Sequence, residues 1–172
     1  METKILLTSF TTWLPHQQSN SSDDLLAELE KANGFKDFAL YFLRNLPVDV
    51  ELATQKVVAE IDRKQPNMII CCGMAERRSE LTVESQAWCG QECLKPSFNL
   101  EKLGQELNLE ISDNAGKFVC EGLYYQLLKY LLPNKNINCI FVHVPLLEYD
   151  NLSHVVKKVQ RLIAWLEINR AS

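Results

Sequence analysis

Two rhythms of hydrophobic residues alternate along this chain. Short unbroken apolar runs closed by Pro or Gly give way to longer stretches in which apolar residues recur every three or four positions. Lys4-Ile5-Leu6-Leu7-Thr8-Ser9-Phe10 is the first short run and predicts a buried strand. Ser22-Asp23-Asp24 then predicts a helix cap, with Leu25, Leu26 and Leu29 on one face and Gly34 as the stop. Residues 38–43 read as a second strand that ends in Leu46-Pro47-Val48. From residue 49 to 64, Leu52, Val57, Val58 and Ile61 approximate a helical stripe closed by Pro66. Asn67-Met68-Ile69-Ile70-Cys71-Cys72-Gly73 lies between Pro and Gly, as suits a central strand covered on both faces.

Further on, residues 82–87 read as a short strand and residues 100–107 as a helix within the poorly patterned stretch 89–110. A helix is expected over 116–132, stopped by Pro133, then a strand over 137–144 stopped by Pro145. The last helix, 153–168, carries Val155, Val156, Val159, Leu162, Ile163 and Leu166 on one stripe. Strands alternating with helices call for an α/β fold, a mostly parallel twisted sheet between two helical layers. With no repeat and no linker composition, residues 1–172 are expected to form a single domain.

Size and composition narrow the function more than the fold. A chain of 172 residues buries roughly two thirds of its unfolded surface and needs no metal or disulfide to do so. The net charge is −4 and the 18 Lys and Arg are scattered, which argues against nucleic acid or anionic lipid as partner. The apolar run Ile5-Leu6-Leu7 is too short for a signal core or a membrane span, so no membrane association and a cytoplasmic location are expected. Six cysteines without a secretory leader read as reduced thiols, and Cys89 and Cys93 alone do not make a zinc set. No GxGxxG, GxxxxGK[ST], HExxH or GxSxG pattern occurs, so neither a cofactor nor a metal is expected.

Three residues carry candidate chemistry. Cys120 falls in the first turns of the 116–132 helix, where the helix dipole favours a thiolate; it also suits a small core position. His143 ends a strand just before Pro145, the edge at which reactive groups of open α/β sheets gather, and a hydrogen-bonded structural role fits it equally. Glu84 alternates with apolar neighbours in Leu81-Thr82-Val83-Glu84, pointing either inward or to solvent.

Taken together, several segments resemble one family. Gly73-Met74-Ala75-Glu76-Arg77-Arg78 running on to Glu84 is similar to the pyroglutamyl-peptidase I (cysteine peptidase C15) motif G-L-A-x-G-R and its following catalytic Glu. Ser112-Asp113-Asn114-Ala115-Gly116-Lys117-Phe118-Val119-Cys120 resembles the nucleophile segment, and Phe141-Val142-His143-Val144-Pro145 the histidine segment. Lys4 to Phe10 stands where the family has its first strand, and Asn45-Leu46-Pro47-Val48 matches its L-P-V strand end.

The resemblance implies a phosphorylase/hydrolase-like three-layer fold and a peptidase acting on the amide after an N-terminal pyroglutamyl residue. It assigns Cys120 as nucleophile, His143 as base and Glu84 as the carboxylate that orients the imidazole. It adds Arg78 as a site residue, and Phe10 and Trp13 as the aromatic wall of a small apolar pocket. The implied partner is a peptide or small amide, and a homo-oligomer is compatible. The chain also departs from the pattern. Ser9-Phe10-Thr11-Thr12-Trp13-Leu14-Pro15 replaces a glycine-rich loop, Glu76-Arg77 replaces a Pro-Gly type pair, and Glu121 stands where Asn is usual. The segment from Glu84 to Cys120 is shorter than the family's. Two other functions therefore stand beside pyroglutamyl cleavage: thiol chemistry on a different amide or lactam, and a non-catalytic binding protein on the same scaffold.

Overall fold

In β1 (Thr3–Phe10) the side chains of Ile5 and Leu7 bury into one hydrophobic cluster and Leu6 and Phe10 into another, on opposite faces of the strand. The same split recurs in β3 (Met68–Met74) and β8 (Asn138–Val144): Met68, Ile70, Ile140 and Val142 face one way, Ile69, Cys71, Cys139 and Phe141 the other. Both faces are buried, which is why these three strands read as continuous apolar runs. The computed structural model describes residues 2–32, 35, 38–133 and 136–169; Gly34 lies outside them.

The remaining elements are α1 (Ser21–Lys31), β2 (Phe38–Leu46), α2 (Val50–Lys64), β4 (Thr82–Glu84), β5 (Ala87–Cys89), β6 (Glu92–Leu94), α3 (Leu100–Leu107), β7 (Glu110–Ser112), α4 (Val119–Leu131) and α5 (Leu152–Ile168). The main sheet runs β2-β1-β3-β8-β4-β7, parallel throughout except that β4 meets β8 antiparallel. α1, α3 and α5 supply one cluster; α2 and α4 supply the other, with Ala53, Val57, Ile61, Leu123, Tyr124 and Leu127. The architecture is thus the expected α/β/α sandwich with a mostly parallel sheet. Each fully buried Leu or Ile stabilises it by ~1.5–3 kcal/mol. Among the described residues no helix is long and apolar enough to cross a membrane.

Several expectations shift for physical reasons. α1 is capped by Asn20, whose Oδ1 accepts from the Ser22 N–H at 3.0 Å, so Ser22 lies inside the helix. Leu52 is half exposed because the buried row of α2 is Ala53, Val57 and Ile61, one residue round the helix. α4 begins at Val119 and not at 116: Gly116 has a left-handed φ of 87° and Phe118 is extended, which keeps both out of the helix. The stretch 82–112 holds four three-residue strands instead of one, the β5–β6 hairpin among them.

Candidate active site

The alternation along β8 decides where His143 points. Cys139 and Phe141 pack toward α2 and α4, and His143, two residues further, takes the same side at the carboxyl edge of the strand. On β4, Val83 faces the α1, α3 and α5 layer, which turns Thr82 and Glu84 toward α4. Thr82 pairs with His143 and Glu84 with Phe141, making Glu84 the diagonal neighbour of His143. At that spacing a carboxylate reaches an imidazole: Nδ1–H of His143 donates to Glu84 Oε1 at 2.7 Å. Glu84 is fully buried and His143 nearly so. With Nδ1 committed, Nε2 is the nitrogen left for chemistry.

Arg78 completes a network around the carboxylate. From the turn after β3, its Nη1 donates to Glu84 Oε1 at 2.7 Å and to Thr82 Oγ1. Its Nη2 donates to Ser112 Oγ at 3.1 Å and to the Asn114 carbonyl at 2.9 Å. One guanidinium therefore ties Glu84 to the loop that leads into α4. Burial pushes the Glu84 carboxyl up, but the hydrogen bond and charge of His143, the Ser112 hydroxyl and the Arg78 charge outweigh it, and the group lies below its ordinary 4.5. Glu84 is held as a carboxylate.

Cys120 is the second residue of α4, whose N-cap, Phe118, offers no side-chain hydrogen bond. The first-turn N–H groups are consequently not taken by a cap. Its Sγ lies against β3, only 2.7 Å from where a side chain on Gly73 would begin. The surroundings of the sulfur work against the expected thiolate. Burial, then the neighbouring Cys71 and the Glu84 charge, push the thiol up to about 12, outweighing its own backbone N–H and Arg78. Desolvation here exceeds the helix-end effect on which the sequence expectation rested.

Cys120, His143, Arg78, Phe10 and Trp13 line one cavity of about 630 Å³, with Met74, Ala75 and Phe118 among its other walls. Glu84 does not line it and sits behind His143. Among the described residues no hydrogen bond joins the thiol to the imidazole; the two share the cavity. Phe10 is almost fully buried, whereas Trp13 is 48% exposed with its ring 5.2 Å from that of Phe118. All six sequence candidates thus converge on one region.

Other residues of this region escaped the sequence reading. Gln17 Oε1 accepts from the Trp13 and Leu14 N–H groups, and its Nε2 donates to Glu76 at 2.6 Å. His16 Nε2 meets the same carboxylate at 3.1 Å, so Glu76 ties the first loop to the turn after β3. Tyr124 donates its buried O–H to the Glu84 carbonyl at 3.2 Å. Only Glu76, in a segment already singled out, hinted at such ties; His16 and Gln17 lie beyond the Ser9 to Pro15 segment. All six cysteines are free thiols, and among the described residues no group of three or more His, Cys, Asp or Glu could hold a metal ion.

No family model matches the chain. It is 25% identical over 170 residues to a pyrrolidone-carboxylate peptidase of Brachyspira hyodysenteriae, covering 83% of each. It is 26% identical over 179 residues to one of Thermoanaerobacter sp., covering 87% of this chain and 86% of that protein. Among solved structures, pyroglutamyl peptidase I from Bacillus amyloliquefaciens superposes with a TM-score of 0.80 at 21% identity, over 93% of this chain and 92% of that one. A mutant pyrrolidone carboxyl peptidase from Pyrococcus furiosus gives 0.79 at 18% identity, over 94% and 96%.

Proposed function

We propose that this chain, a divergent relative of the pyrrolidone-carboxylate peptidases, is a cysteine-type omega peptidase that removes an N-terminal pyroglutamyl residue. The observation that carries the reading is the Glu84–His143 hydrogen bond, with Nε2 left to serve a cavity that Cys120 also lines. A carboxylate that fixes the tautomer, an imidazole and a thiol are the three parts of nucleophilic acyl transfer.

In the first half-reaction Sγ attacks the carbonyl carbon that links pyroglutamate to the next residue, and His143 Nε2 takes the thiol proton. Burial pushes the thiol upward, so attack depends on His143 to take the proton. The uncapped N–H groups at the start of α4 are suited to stabilise the tetrahedral oxyanion. The imidazolium gives its proton to the leaving amine as the C–N bond breaks, and a thioester remains on Cys120. Water, deprotonated by His143, then attacks the thioester; pyroglutamic acid leaves and the proton returns to sulfur. Glu84 stays ionised throughout and stabilises the imidazolium. Phe10 and Trp13 offer the neutral lactam ring an aromatic wall.

Release of a fluorophore from a pyroglutamyl amide tests this. The protein should turn it over near neutral pH, and Cys120→Ala should lose about 10⁴-fold or more in kcat. Turnover that survives the substitution would reject the thiol mechanism. The rebuilt first loop, with Trp13 half exposed and tied down through Gln17 and Glu76, favours one second reading: the same chemistry on a differently shaped amide or lactam. Covalent labelling of Cys120 by an electrophilic probe together with silence on pyroglutamyl amides would select it.

A further inference from the structure

The point where Cys120 meets β3 carries a second assignment, which rests on the thiol mechanism above. We propose that Gly73 is a positioning residue whose missing side chain forms the seat for Sγ of Cys120. Ile69 and Cys71, the two preceding residues on the same face of β3, are fully buried and fill the space beneath α4. Gly73 follows them and fills nothing. It pairs in register with His143 on β8, so the gap opens beside the imidazole.

Backbone conformation does not require glycine here, since Gly73 has no left-handed φ. Space does. A Cβ built on Gly73 falls 2.7 Å from Cys120 Sγ and 2.9 and 3.0 Å from two ring carbons of Phe141. The Phe141 ring is fully buried and packs against Tyr124 at 5.7 Å and His143 at 5.0 Å, so it has little room to yield. The thiol is the movable partner: a methyl group at 73 drives Sγ about χ1 out of its seat and into the cavity.

An evicted thiol is more open to solvent yet no longer held beside His143. Gly73→Ala therefore separates two properties that general loss of structure would change together. Alkylation of Cys120 by iodoacetamide in the native protein rises several-fold, while kcat on a pyroglutamyl amide falls about 10²-fold with KM changed little. The alkylated residue is identified by peptide mass spectrometry, with Cys120→Ala as the blank. Unchanged alkylation and unchanged kcat in a folded Gly73→Ala protein overturn the assignment.

A thermal measurement keeps the test decisive if Gly73→Ala folds poorly. Introduced on top of Cys120→Ala, the same change meets no sulfur, and the drop in unfolding midpoint should be clearly smaller than in the wild-type background. Equal drops in the two backgrounds mean that only Phe141 objects to the methyl group and that no seat for Sγ exists. Should the wild-type protein show no Cys120-dependent turnover, the peptidase reading falls, while alkylation and the paired midpoints still decide the role of Gly73.

Discussion

Glu84→Gln isolates the charge of the buried carboxylate while preserving its shape. In the wild-type protein one oxygen of Glu84 accepts two charge-assisted hydrogen bonds, from His143 and Arg78, each 2.7 Å long. Replacing charged by neutral acceptance costs about 1 kcal/mol per bond, the gap between ~1.5–3 and ~0.5–1.5 kcal/mol for the two kinds. The new amide N–H₂ must sit at the position of Oε2, a buried atom with no hydrogen-bond partner, which adds about 1–2 kcal/mol. The sum is roughly 3–4 kcal/mol, or on the order of 10 °C in unfolding midpoint for a protein of this size. The gap depends on pH with a definite sign. The folded carboxyl lies below its ordinary 4.5, so the stability it lends is complete above that pH and is lost as pH falls through the folded value. Thermal unfolding at pH 7 and near pH 3 should therefore show the two proteins well separated at the first and closer at the second. Turnover supplies an independent arm. Because Glu84 stands behind His143 and does not line the cavity, kcat should fall by ~10²–10⁴-fold while KM holds within a few-fold. A separation equal at both pH values, or a loss confined to KM, refutes the reasoning.

Three further substitutions probe the surroundings. Arg78→Met removes four hydrogen bonds, two of them to Glu84 and Thr82, and should lower stability by about 1–3 kcal/mol in urea titration and kcat by roughly tenfold. Trp13→Ala takes away a half-exposed ring whose main aromatic contact is Phe118, so stability should change by about 1 kcal/mol or less while KM rises. A fall in kcat at constant KM would instead make Trp13 part of the proton-transfer machinery. Tyr124→Phe removes a buried O–H that donates to the Glu84 carbonyl and should cost about 1 kcal/mol, read as a shifted urea midpoint at constant slope.

Legibility in the sequence followed the length and periodicity of each element. β1, β3 and β8 are seven or eight residues of nearly pure apolar character because helices cover both their faces, and such runs are visible without coordinates. α3 spans Leu100–Leu107, the residues its pattern indicated. The four short strands between Thr82 and Ser112 have three residues each, too few to show a period, and nothing local tells that β4 runs against β8. At the candidate site the residue types were readable, but their electrostatics were not. Glu84 could point either way from its pattern, and only the register that sets it diagonally from His143 decides the matter. At Cys120 the helix end is only part of the environment: Sγ packs against Gly73 of β3, and burial pushes the thiol up instead of down. Gly73 looked like a strand terminator; its relation to Sγ exists only once α4 is laid across the sheet.

The proposed chemistry requires a thiol that forms a covalent acyl intermediate with the help of one imidazole. Acid-quenched intact-mass analysis after mixing the protein with a pyroglutamyl aryl ester tests this directly. It should reveal a chain heavier by one pyroglutamyl group, mapped by peptide digestion to Cys120, whose formation slows sharply in His143→Ala. A chain that stays unmodified while product accumulates, or an adduct found on the exposed Cys89, would contradict it.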